Sequence, residues 1–175
     1  MPSTIQVYSP DLLDSIIEDI EEQAAKNVVQ KIIQCFDIEG FTIKIIGELH
    51  LHYRVLCFIK KNKETVSISM KKDCGRDGVV EGVDIKIRIE NQSTFDKLDE
   101  FTKNIRNQIL NGYDCHYCGT KCEGKRYTFT YHGDEYVKCK WLGCNFRFSK
   151  IDQCDVASIM DIVIGELTHK QTRKK

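Results

Sequence analysis

The segment from Cys115 to Cys144 constrains this chain more than any other part of it. It opens Cys-His-Tyr-Cys-Gly-Thr-Lys-Cys and closes Cys-Lys-Trp-Leu-Gly-Cys, with a β-like run between. Cys115 and Cys118 stand in CxxC spacing with Gly119 behind them, and Cys139 and Cys144 form a second pair after twenty intervening residues. Two such pairs predict a tetrahedral zinc site. A CxxC turn brings two sulfurs to one point, and the glycine after it tolerates positive φ. Backbone N–H groups in such a turn face the thiolates and help to hold their charge.

Five cysteines compete for four positions. Cys115, Cys118, Cys139 and Cys144 make a two-knuckle ribbon, with strands near Arg126–Tyr131 and Glu135–Cys139 turning at His132-Gly133-Asp134. Gly143 supplies a second tight turn before Cys144, which favours this set. Replacing Cys144 by Cys122 gives CxxCxxxC plus Cys139, also a closed set of four thiolates, so both assignments stand. His116 and His132 could substitute as ligands but are read as surface residues.

A closed four-cysteine site is structural, because catalytic zinc keeps an open position and commonly takes His or carboxylate ligands. The sequence contains no HExxH, no P-loop, no GxSxG and no HxE followed by PCxxC. A non-enzymatic chain is therefore expected. Zinc would give a ribbon of some forty residues the folding energy that its few apolar side chains cannot.

Nine cysteines in 175 residues read differently in different compartments. No charged start followed by an apolar stretch is present, and no apolar run approaches the ~20 residues that span a bilayer. The expectation is a cytoplasmic protein without membrane association, its cysteines reduced and available to metal. Charge is balanced overall but uneven: residues 1–40 hold eight acids against two bases, while 41–92 and 113–150 each carry a net +3.

The first forty residues predict a helix. Ser9-Pro10-Asp11 supplies an N-cap, a proline at the first helical position and an early acid. Leu13, Ile16, Ile17, Ile20, Ala24, Val28 and Ile32 then recur at helical spacing down to about Phe36. The plain reading is one long core helix with a solvated acidic face; the sharper reading is a docking helix or a dimer formed through it.

From Phe41 the period changes to two. Ile43 and Ile45, then Val55, Cys57 and Ile59, then Val66, Ile68 and Met70, then Val83, Ile85, Ile87 and Ile89 form the apolar registers of four strands. Short polar turns join them, and a Gly-rich loop containing Cys74 precedes the fourth. The fold class expected is α+β: a four-stranded antiparallel sheet with helices on one face, a zinc-ribbon module and a C-terminal helix. The wet face would collect Lys44, His52, Arg54, Lys71, Lys86 and Arg88, with Phe58 its one aromatic, too few for base stacking on an RRM-like sheet. Ser93 is expected to cap a helix ending at Asn111-Gly112, and a last helix to run from about Asp155 to Thr168. Three consecutive segments result, 1–112, 113–150 and 151–175 with its basic tail, expected to form one compact unit.

The run Glu81-Gly82-Val83-Asp84-Ile85-Lys86-Ile87-Arg88-Ile89-Glu90, with the helix after it, resembles the small bacterial YdhG/YdeI-like α+β domains of unknown function. The resemblance covers roughly residues 41–112, and the cysteine ribbon is similar to tails appended to such domains. It implies a fold and no catalytic residue.

Two classes of function follow. In the first, the chain is a binding or regulatory module on a nucleic acid or nucleoprotein complex, contacted through Arg126, Lys138, Lys140, Trp141 and Arg147, with Trp141 available for stacking. In the second, it is a protein–protein or small-ligand module whose zinc is purely structural. An enzyme is third, and would need a polar cluster around Glu48, His50 or His52.

Overall fold

The computed structural model describes residues 4–6, 10–38, 41–48, 53–60, 63–72, 80–112, 126–139 and 145–172. These divide into two compact units, each drawn from separated stretches of chain: 1–86 with 149–156, and 87–148 with 157–175.

In the first unit a short strand β1 (Thr4–Gln6) precedes two helices, α1 (Pro10–Glu18) and α2 (Gln23–Ile38). The apolar spacing predicts one helix; the chain breaks at 19–22. Glu18, Asp19, Glu21 and Glu22 crowd this point, and like charges three or four residues apart disfavour a continuous helix. The same acids are well placed just ahead of a fresh helix N-terminus. A salt bridge of 3.0 Å from Lys26 to Glu18 spans the break. Both helices keep their apolar stripes buried: Leu13, Ile16 and Ile17 in α1, and Ala25, Val28, Val29, Ile32 and Phe36 in α2, with Ile20 between.

Five strands form the antiparallel sheet of this unit, one more than expected, in the order β1, β2 (Thr42–Glu48), β3 (Tyr53–Lys60), β4 (Lys63–Lys72) and β5 (Val80–Arg88). β1 is the addition, pairing Ile5 with Ile46. Three residues are too few to show a period.

The face of β3 differs from the sequence reading, which puts Val55, Cys57 and Ile59 toward the helices. Register instead aligns Ile43, Phe58 and Val66 across β2, β3 and β4, and likewise Ile45, Leu56 and Ile68. Phe58 stacks on Phe36 of α2 at 4.5 Å, so this is the helix-covered face. Cys57 shares the opposite face with Lys44 and Ser67. Phe58 is thus a core residue, and Arg54 stands opposite Met70 in the register rather than beside Lys44. Leu56, Cys57 and Phe58 are all buried; the larger side chains take the helix-facing positions because they fill more of that space.

The second unit holds α3 (Gln92–Phe95), a 3-10 turn (Leu98–Glu100), α4 (Lys103–Leu110), the hairpin β6 (Arg126–Tyr131) and β7 (Asp134–Cys139), the strand β8 (Asn145–Phe148) and most of α5 (Val156–Thr172). The single helix expected from Ser93 is three pieces. Asn91, not Ser93, is the N-cap residue of α3, and Thr102 caps α4 by accepting from the Ile105 N–H. The hairpin and its turn agree with the sequence reading: His132 (φ 51°) and Gly133 (φ 85°) form a two-residue turn with both residues left-handed, matching the twist of the strands. An aromatic stack fills the centre of the unit, Phe95 on Phe129 at 4.0 Å and Phe129 on Tyr136 at 5.2 Å. No helix among the described residues is long and apolar enough to cross a membrane.

Candidate metal centre and its surroundings

Cys115, Cys118, Cys122 and Cys144 lie outside the described residues, as do Lys140, Trp141, His50, His52 and Cys74. Cys139 ends β7. The residues from which the cysteine segments depart and to which they return are described, and they lie together. Gly112 precedes the first segment, Arg126 follows it, Cys139 precedes the second and Asn145 follows that.

Arg126 and Cys139 are register partners in the hairpin. Lys138, the residue before Cys139, donates from its ammonium to the carbonyls of Gly112 at 3.0 Å and Leu110 at 3.1 Å. Phe146, the residue after Asn145, is buried, and its ring lies 3.5 Å from where a Cβ on Gly112 would stand. That Cβ would also come within 2.8 Å of the Gln108 carbonyl oxygen, so only glycine lets the chain leave α4 here.

Lys138 is consequently not a solvent-facing cation. It is 7 % exposed, and its ammonium sits at the carbonyl end of α4, where a positive charge meets both unsatisfied acceptors and the negative end of the helix dipole. Among the expected nucleic-acid contacts, Lys138 is thus a buried one. Arg147 on β8 is exposed. Arg126 occupies the first position of β6. The outward face of the hairpin presents Thr128, Thr130, Glu135 and Val137, all exposed.

Two polar clusters correspond to no motif in the sequence. Glu166 of α5 is wholly buried. Its Oε2 accepts from the Glu90 N–H (3.1 Å) and Asn91 Nδ2 (2.9 Å), and its Oε1 from the Asn91 N–H (3.2 Å) and Thr94 Oγ1 (2.7 Å). The carboxylate therefore anchors the chain entering α3 from a distant helix and occupies the Asn91 side chain, which makes no cap bond of its own. One sequence signal could have exposed it: an acid standing in the inner stripe of α5 among Ile159, Ile162, Val163 and Leu167.

The second cluster is exposed. Asp99 accepts from the Tyr131 hydroxyl at 2.6 Å and Arg106 Nη1 at 3.2 Å, and its other oxygen meets His132 Nε2 at 2.6 Å. The His132 ring stacks on Tyr131 at 4.1 Å. The Tyr131 hydroxyl, then His132 and Arg106, hold the Asp99 carboxyl below its ordinary range, and the bond to Asp99 pushes the Tyr131 phenol up. The cluster fastens the hairpin tip to the turn before α4. His132 is a surface residue, as its sequence context suggests.

In the first unit, ligand atoms of Asp152, Cys154 and Asp155 lie within 4.8 Å of one another. Their own bonds explain the grouping. Asp152 caps the 3-10 turn Gln153–Asp155 through the Cys154 N–H (2.9 Å), and Asp155 accepts in return from the Asp152 N–H (3.2 Å). The Cys154 thiol donates to Asp152 at 2.7 Å, which pushes its pKa up and keeps it a thiol.

No protein-family model matches the chain, and no curated protein or solved structure does.

Proposed function

We propose that the chain is a non-enzymatic zinc-binding module, its metal held by cysteine thiolates in a closed structural site, which serves as a binding or regulatory element on a nucleic acid or nucleoprotein complex. The observation that carries the metal is the gathering of Gly112, Lys138, Cys139 and Phe146 around one point. Cys115 follows Gly112 by three positions, Cys122 precedes Arg126 by four and Cys144 precedes Asn145 by one. With a reach of about 3.3–3.6 Å per residue, these tethers are short enough to meet. Four thiolates fill a tetrahedral zinc and leave no position for substrate. Cys115, Cys118 and Cys139 belong to either ligand set, with Cys144 or Cys122 as the fourth.

For the partner, the nucleic-acid reading rests on Arg126, Lys140, Trp141 and Arg147, a set that no longer includes Lys138. A second reading has a specific observation behind it: the hairpin face of Thr128, Thr130, Glu135 and Val137 is neutral to acidic and partly apolar, which suits a protein surface better than phosphate. Two measurements test the proposal. Elemental analysis of protein purified without added metal should give one zinc per chain. Retention on DNA and RNA at low ionic strength separates the two partner classes.

A further inference from the structure

Helix α4 is fastened at both ends. At its start the Thr102 hydroxyl accepts from the Ile105 N–H, and the Thr102 N–H donates to Ser158 Oγ at 2.9 Å. At its finish Lys138 serves the Leu110 and Gly112 carbonyls. Ile105 and Ile109 are wholly buried. Four-residue spacing puts Lys103, Asn107 and Asn111, all exposed, in one row on the opposite side of the helix. Asn104 and Gln108, joined at 3.0 Å, flank that row on one side and Arg106 on the other. From Thr102 to Gly112 the chain carries four amides and two cations but no carboxylate.

We propose that this face of α4 reads duplex DNA from the major groove, with Asn107 and Asn111 at base edges and Lys103 and Arg106 at phosphates. The inference rests on the nucleic-acid reading above and uses none of the contact residues named there. An amide carries a donor and an acceptor side by side, which matches N6 and N7 of adenine. An ordinary solvated face intersperses acids with bases, and acids would repel phosphate. The negative end of the α4 dipole would repel it too, but the buried Lys138 ammonium covers that end. Asp99 stands beside this face, paired with Arg106 at 3.2 Å, and partly offsets that cation. The major groove of B-form DNA admits an α-helix. That of duplex RNA is deep and narrow and does not.

Fluorescence anisotropy with the full chain, on short duplexes made only of A·T or only of G·C pairs, tests this. The A·T duplex should bind about 5–150-fold more tightly, the discrimination of one bidentate amide contact. Asn107→Ala, at an exposed position where alanine favours helix, should bring that ratio toward one, and Asn111→Ala repeats the test one turn on. Lys103→Gln should weaken both duplexes alike and flatten the salt dependence by about one unit of slope. Asp99→Asn should tighten both, because it removes a negative charge and releases Arg106, whereas a change that merely damaged the fold would weaken them. Equal affinity for the two duplexes, or a ratio that neither asparagine variant alters, would overturn the α4 face while leaving nucleic acid bound elsewhere on the chain. Binding of RNA or single strands without duplex DNA would do the same. A wild-type chain that binds none of them would remove both readings.

Discussion

Glu166 and Asn91, 75 residues apart in the chain, are joined twice: Asn91 Nδ2 donates to Oε2 at 2.9 Å and the Asn91 N–H to Oε1 at 3.2 Å. With Glu90 and Thr94 completing four donors, a fully buried carboxylate is satisfied by neutral groups alone. Glutamine at this position retains one acceptor oxygen and turns an NH2 group toward partners that are themselves donors. Glu166→Gln should therefore cost about 1–3 kcal/mol, the penalty for buried donors left without acceptors. Chemical denaturation should show a lower midpoint with the slope unchanged. A midpoint equal to wild type would mean that the carboxylate contributes nothing as an anchor for the chain entering α3.

The hairpin tip should weaken at both ends of the pH scale. Asp99 ionises more readily in the folded chain than its ordinary value of 3.8. Its contribution is fully present above that value and is lost as pH falls through the lowered folded value. Tyr131 behaves inversely. Its phenol is raised above 10.0, so its contribution is full below that value and is lost as pH rises through the folded one. The melting-temperature difference between wild type and Asp99→Asn should shrink toward zero in strong acid and narrow in strong alkali, where the Tyr131 phenol ionises beside Asp99 while Arg106 stays paired with it. Tyr131→Phe should abolish the alkaline loss and reduce the acid one, because the Tyr131 hydroxyl is the first of the groups that hold Asp99 low. Parallel profiles at every pH would show that the cluster is decorative.

What the sequence could reveal depended on whether one physical pattern stood alone. The hairpin was legible because alternation, a His-Gly turn and flanking cysteines all agree. The strand β3 was legible as a strand but not in its facing. Val55 to Ile59 is apolar at every position, so period two cannot choose a side, and the choice falls to Phe36, far off in α2. The first helix kept an unbroken apolar phase across 19–22, and only the crowd of four acids hinted at the break. Lys138 carried no hint at all. A lysine in an exposed-looking register reads as solvated until the carbonyls of another element are brought to it.

Ligand identity separates cleanly by mutation. If Cys144 completes the set, Cys144→Ser should lower metal content and stability as much as Cys118→Ser does, and Cys122→Ser should be nearly silent. The reverse behaviour of Cys122 and Cys144 would move the fourth ligand to Cys122. Metal content read by elemental analysis decides it, and iron with visible charge-transfer absorption in place of zinc would point to a different thiolate centre.

The nucleic-acid reading stands or falls on salt. Each cation that neutralises a phosphate releases counterions, so affinity falls steeply as salt rises. Arg126, Lys140 and Arg147 are the cations left to that reading; Lys138 must be spared, because its ammonium holds α4 and its loss would confuse a folding effect with a binding one. Neutralising the three together removes up to three phosphate contacts and should flatten the salt dependence by roughly 2–3 units of slope. Zinc content and thermal stability should survive the change, since none of the three is a proposed ligand and Arg147 is exposed. Affinity that drops while the slope stays fixed would indicate lost stacking or shape, directing attention to Trp141. No salt-dependent retention of single- or double-stranded DNA or RNA at low ionic strength would end the nucleic-acid reading. The neutral hairpin face of Thr128, Thr130, Glu135 and Val137 would then be the surface to probe, by substituting Val137, which is 38 % exposed and can be made charged without disturbing the Phe129–Tyr136 stack on the other side of the hairpin.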